Sequence, residues 1–206
     1  MSRAGAVLVA AAVCAGGAVA RDRLARWGAT DAEVYGELPG DEFVLHADRT
    51  ATRAVTVHAP PDAVWPWIAQ LGQGRGGFYS YDGVENLLGM DIHSADRVVP
   101  EWQSVRVGTQ VRLAAEVPLM VAVADPDRAL VLRGSVAMGA VPVPYDFTWA
   151  FVLHGAPDGD STRLVVRESY GYLRWWAPAL VEPMTLASFV MSRRMLQGIR
   201  ERAERP

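Results

Sequence analysis

Five side chains carry the acid–base chemistry this sequence can offer: Asp82, Glu85, His93, Glu101 and Glu168. A carboxyl or imidazole serves as general acid or base when an apolar pocket or a neighbouring charge moves its pKa toward neutrality. Glu168 is the most informative, because it alternates in phase with Leu164 and Val166 while Arg163 and Arg167 fall on the opposite face of the same strand-like stretch. A carboxylate on an inward face must be paired or protonated. Tyr79, Tyr81 or an arginine from a neighbouring strand are the expected partners. Asp82 and Glu85 stand three residues apart, a spacing that also makes a capping box at the start of a short helix. His93 reads as a loop histidine as readily as a base. Glu168, Asp82 and His93 are therefore the catalytic candidates.

Other chemistries lack their residues. All 20 basic side chains are arginine, which removes the lysine of a Schiff base, of a pyridoxal phosphate linkage and of a phosphate-binding loop. Cys14 stands alone, so no intramolecular disulfide forms, and His46, His58, His93 and His154 show no metal-ligand spacing. No metal and no cofactor is expected. Gly72 to Gly77 matches G-x-G-x-x-G in form, but a helix-like segment precedes it and aromatic residues follow, so it reads as a turn.

The elements that would position these residues follow from periodicity. A first strand spans Ala51 to His58, and Pro61-Asp62 then starts a short helix that Pro66 limits or kinks. A second short helix runs from about Ser80 to Leu88. Strands are expected at Gln110–Glu116, Met120–Ala124, Ala129–Arg133, Tyr145–His154 and Thr162–Tyr172, divided by turn signals such as Pro157-Asp158-Gly159-Asp160. Short connections make them an antiparallel meander. Tyr145, Phe147, Trp149, Phe151 and Leu153 share one strand face. A C-terminal helix from about Pro183 to Glu204 covers that face with Met184, Ala187, Met191, Met195 and Ile199.

The chain has 206 residues, half of them hydrophobic, with a net charge of −3, which suits one ordinary domain and supplies no broad basic surface for nucleic acid. Residues 4–20 are uncharged and rich in Ala, Val and Gly, and Arg21, Arg23 and Arg26 follow them. This N-terminal apolar helix reads as a membrane anchor, as an export signal cleaved near Ala20, or as a soluble helix. Arginines after the run place the domain on the cytoplasmic face if the segment is retained. The expected organisation is an anchor or signal-like segment at 1–26, an extended lead-in at 27–50 and the domain at 51–206. Cys14 reads as a buried thiol.

Ala59-Pro60-Pro61-Asp62-Ala63-Val64-Trp65-Pro66-Trp67-Ile68 after the first strand is followed by Phe78-Tyr79-Ser80-Tyr81-Asp82 and Glu85-Asn86-Leu87-Leu88-Gly89. The series continues through His93-Ser94-Ala95-Asp96-Arg97, Pro100-Glu101-Trp102-Gln103, Thr162-Arg163-Leu164 and the helix from Met184 to Ala203. On these segments the chain, over about residues 27–203, resembles the SRPBCC superfamily, also called START-like or polyketide cyclase/dehydrase-like, and within it an uncharacterised actinobacterial-type subgroup. Gly83 departs from the pattern at a position expected to be bulky, with a softened helix or a wider pocket as the expected result.

The resemblance implies an α+β helix-grip fold, in which a curved antiparallel sheet wraps a long C-terminal helix around an apolar cavity. Trp65, Tyr79, Tyr81, Glu85, Trp102, Phe147, Trp149, Phe151, Glu168, Tyr170, Met184 and Met191 are the expected cavity residues, although core packing explains the aromatics as well. Trp175-Trp176 is expected at a cavity lip or a lipid interface. The expected function is binding, transport or sequestration of a hydrophobic small molecule or lipid near a membrane reached through residues 4–20. The alternatives are an acid–base cyclase or dehydratase acting on a polyketide-like substrate, and a cell-envelope interaction module without ligand.

Overall fold

The computed structural model describes residues 21–87, 89–115, 117–134 and 144–205. Residues 4–20, expected as an apolar helix, and Cys14 lie outside them. Among the described residues no helix is long and apolar enough to cross a membrane.

Six antiparallel strands form one sheet: β1 (Arg49–Val57), β2 (Gln110–Ala114), β3 (Val117–Asp125), β4 (Ala129–Gly134), β5 (Tyr145–Gly155) and β6 (Thr162–Tyr172). Their spatial order is β1-β6-β5-β4-β3-β2, so β2 to β6 are the expected meander while β1 closes the far edge against β6. Register shifts within β2–β3 and β3–β4 mark bulges, which bend a sheet and increase its twist. Helices α2 (Pro61–Ala69) and α3 (Asp82–Leu87) occupy the connection from β1 to β2, and α4 (Ala177–Ala203) lies along the concave face.

Alternation sorts β5 between two cores. Tyr145, Phe147, Trp149, Phe151 and Leu153 face α2 and α4 in the main core, whereas Ala150 and Val152 join Leu38, Ala54, Val131 and Val165 on the convex side. The central strands are therefore buried on both faces, as covered sheets require.

That second core corrects the expected extended lead-in. Residues 27–50 contain α1 (Asp31–Tyr35) and a 3-10 turn at Asp41–Phe43. Thr30 and Glu33 cap α1 reciprocally: Thr30 Oγ1 accepts from the Glu33 amide at 3.3 Å, and the Glu33 carboxylate accepts from the Thr30 amide at 2.7 Å. Arg167, pointing away from the cavity, donates to the Val34 and Gly36 carbonyls at 3.0 Å and pairs with Asp41. Arg163 pairs with Glu33 at 2.6 Å. These long-range partners fold a segment whose own periodicity is too short to announce it.

Helix α4 starts at Ala177, six residues before the expected Pro183, which lies inside the helix. Both Pro183 and Ala179, whose carbonyl loses its helical donor, are solvent-exposed, so water can replace the missing bond. Gly198 allows α4 to press against the α2–α3 connection, since a Cβ there would meet the Tyr79 carbonyl oxygen at 2.3 Å. The Gly72 to Gly77 segment is a turn, with Gly72 and Gly77 bridged and both at positive φ.

Candidate functional site

Between the concave face and α4 lies a cavity of about 250 Å³. One wall comes from α4, where Met184, Ala187, Ser188, Met191, Ser192 and Met195 recur at helical spacing on one face. The sheet contributes Phe147 and Trp149 from β5, Glu168 and Tyr170 from β6, and Leu113 from β2. Phe78, Ser80, Glu85 and Met90 complete the lining from α3 and its flanks. A smaller space of about 60 Å³ adjoins it between Leu113, Phe147, Tyr170 and Met184, bordered also by Tyr145.

The aromatic side chains form a row across the sheet. Phe147 and Tyr170 have ring centroids 4.8 Å apart, Trp149 and Phe151 4.8 Å, and Phe78 closes on Trp149 at 6.0 Å. Such contacts rigidify a wall that the methionines of the opposite wall leave adaptable.

Two carboxyls touch this cavity, and their surroundings differ. Glu168 is paired with Arg53 of β1, Nη1 to Oε1 at 2.8 Å, and the side chains are only 1% and 4% exposed. Ser188 and Ser192 donate to the same carboxylate at 2.6 and 2.8 Å, and the Tyr170 hydroxyl donates to Oε2 at 3.4 Å. The acceptor sites of this carboxylate are thus largely taken by Arg53, Ser188, Ser192 and Tyr170. Burial, with the Glu168 charge adding to it, pushes the Tyr170 phenol well above its ordinary range. The expected arginine partner is present; Tyr79 and Tyr81 are not partners of Glu168.

Glu85 is 2% exposed and has a single hydrogen bond, from Ser80 Oγ to Oε1 at 3.0 Å. Its Oε2 is buried without a partner among the described residues. Burial raises the Glu85 pKa above the usual carboxylate value, Ser80 opposes that shift, and the Asp82 charge adds to it. Trp149 Nε1 is a second buried polar atom on this cavity with no partner among the described residues.

The remaining expected site residues lie elsewhere. Trp65 and Phe151 are packed in the main core. Tyr79, at positive φ, donates its hydroxyl to the Trp67 carbonyl at 3.0 Å beneath the Arg202 guanidinium. Tyr81 is exposed, and the Trp102 carbonyl receives the Arg75 guanidinium at 2.6 Å, away from the cavity. Asp82 and Glu85 make no capping box: Asp82 accepts from the Ser94 amide and hydroxyl at 2.7 and 2.6 Å, fixing the chain beyond α3. The His93 side chain is 79% exposed, 3.1 Å from Asp91, and Glu101 is also exposed, so neither enters the cavity. Gly83 is exposed with open space where a Cβ would be, and it does not widen the pocket. Trp175 is 91% exposed and Trp176 precedes α4, neither forming a cavity lip.

Phe78, Ser80, Met90, Leu113, Ala187, Ser188, Ser192 and Met195 line the cavity beyond those expected. For the α4 members the signal was present, because Ser188 and Ser192 continue the Met184, Met191, Met195 face. Phe78, Met90 and Leu113 sit beside turns or at a sheet edge, where no periodicity marks them.

A curved antiparallel sheet closed on a long C-terminal helix, with two short helices between the first and second strands, is a helix-grip arrangement. No protein-family model and no curated protein sequence matches the chain. Among solved structures, a protein of Mesorhizobium loti is similar at 14% identity and a TM-score of 0.44, over 74% of this chain and 95% of that one. The Zhui aromatase/cyclase of a Streptomyces species is similar at 16% identity and a TM-score of 0.43, over 76% of this chain and 94% of its own. Ara h 8.0201 is similar at 14% identity and a TM-score of 0.43, over 75% and 97%. At these identities and TM-scores no ligand or residue role follows from the likeness.

Proposed function

We propose that this domain binds an apolar small molecule in the cavity between the sheet and α4. The observation that carries this reading is the lining: four methionines and four aromatic rings face a space of about 250 Å³. Such a space exceeds the ~150 Å³ that admits benzene and falls just under the ~300 Å³ at which pockets for drug-sized ligands begin. A ligand of one or two rings, or a short chain, fits it; a long lipid or a polycyclic polyketide requires α4 or the sheet edge to move. Apolar burial drives the binding. The saturated bonding of Glu168 favours binding over acid–base catalysis by that residue, the strongest member of the cyclase or dehydratase alternative.

We also propose that residues 4–20, uncharged and followed by Arg21, Arg23 and Arg26, hold the domain at the cytoplasmic face of a membrane. Fractionation of cells expressing the full chain tests this, with protease access from the outer side as the opposite result. For the cavity, native mass spectrometry of gently purified protein should show one apolar species per chain, or uptake of an apolar probe by the apo form. A Met191→Trp variant, which adds bulk at a half-buried lining position, should lose it. A folded protein that takes up no apolar probe would overturn the reading.

A further inference from the structure

We propose that the Glu85 end of the cavity holds a hydroxyl group of the ligand, which makes the ligand class a small apolar molecule of one or two rings, or a short chain, bearing a hydroxyl. The inference rests on the cavity being a ligand site and adds its chemistry. Glu85 is 2% exposed, lines the cavity, and has only its Oε1 satisfied, by Ser80 at 3.0 Å. Its Oε2 has no partner among the described residues, and neither has Trp149 Nε1 on the same cavity. Buried polar atoms are rarely left without a partner, so a pair of them on one apolar space marks what its occupant should supply.

The two atoms ask for different things. An indole N–H only donates, whereas a carboxyl oxygen accepts when ionised and can donate when protonated. A hydroxyl answers both, donating its proton to Oε2 while a lone pair accepts from the indole. A hydrocarbon leaves both atoms bare, and an ether or ketone, which only accepts, leaves Glu85 Oε2 unanswered whenever the carboxyl is ionised, whereas a hydroxyl answers it in either state. Phe78 brings the two sides together: its ring lies 6.0 Å from that of Trp149, and it is two residues before the Ser80 that holds Glu85. The Asp82 charge beside Glu85 disfavours an anionic head group. The opposite carboxyl, Glu168, makes no such demand because Arg53, Ser188, Ser192 and Tyr170 already occupy it.

The test compares 2-naphthol with naphthalene, which differ by one hydroxyl, by ligand-observed NMR titration of the full chain in mild detergent. Satisfying a buried unpaired group favours 2-naphthol by about tenfold. In Glu85→Leu the ratio should fall to near unity while naphthalene still binds, and in Glu85→Gln, whose amide both donates and accepts, most of the preference should remain. Trp149→Phe should reduce the ratio in part. Equal binding of both probes by the unmodified protein overturns the inference and leaves the apolar cavity standing. A preference that survives Glu85→Leu also overturns it, by placing the hydroxyl elsewhere. Binding of neither probe overturns the cavity reading and this inference together. The first comparison needs no variant, so a misfolded Glu85→Leu does not protect the proposal.

Discussion

Replacing Arg53 with Met keeps the length of the side chain and removes the only cation bonded to Glu168 among the described residues. The pair is buried on both sides, at 1% and 4% exposure, so solvent cannot take over the role of the guanidinium. Removing one partner of a buried pair typically costs 3–5 kcal/mol, so the expected loss is about 3 kcal/mol, because Ser188, Ser192 and Tyr170 remain to solvate the carboxylate. For a domain of this size that corresponds to a fall of roughly 6–12 °C in melting temperature. Glu168→Leu should cost a comparable amount by stranding Arg53. The double variant Arg53→Met with Glu168→Leu should cost less than the two singles added, with a coupling of about 2 kcal/mol. Urea unfolding at neutral pH measures this, provided the slope is unchanged among the four proteins. Additive losses, or an Arg53→Met loss below about 1 kcal/mol, would refute the reasoning that Glu168 depends on Arg53 for its neutralisation in the fold.

Other outcomes follow from the same contacts. Arg163 holds the Glu33 carboxyl down to about 2 from an ordinary 4.5, so its contribution is present above about 4.5 and fades as pH falls through about 2. Glu33→Gln should therefore destabilise the fold by about 1–2 kcal/mol at neutral pH, with the difference shrinking steadily as pH falls from about 4.5 toward 2, as read by chemical unfolding across pH. Glu85 has the opposite sign: its raised pKa favours the protonated fold, so stability declines as pH rises from about 4.5. Glu85→Gln should abolish that decline and stabilise the apo protein at neutral pH, which thermal melts at pH 4 and pH 7.5 will compare. Gly198→Ala gains helix propensity but forces its Cβ onto the Tyr79 carbonyl, and a net loss of about 2 kcal/mol is expected in denaturant unfolding.

The strands and the long helix were legible because their patterns repeat. In β5, alternation over eleven residues fixes one face for Phe147, Trp149 and Phe151. In α4, Met184, Met191 and Met195 recur at helical spacing, and the structure brings all three to the cavity. Short elements were less legible. Thr30 and Glu33 have the capping-box spacing and make the box, whereas Asp82 and Glu85 have a similar spacing and do not. The difference lies in a contact with Ser94, twelve residues on, which claims the Asp82 carboxylate.

From the sequence alone came the order of the strands and the faces they present, because these depend on periodicity within one segment, while the helix-grip class was what the family resemblance implied. The roles of the two cavity carboxyls were decided by tertiary structure. Glu168 faces inward by alternation, but its neutralisation by Arg53 arises from the pairing of β1 with β6, which joins residues 115 apart in the chain. Glu85 reads as a cap in the sequence, and it becomes a buried acid with one open oxygen only because α4 and β5 close over α3's inner side. Periodicity fixes a side chain's direction, while its protonation and its partners depend on what packing brings against it.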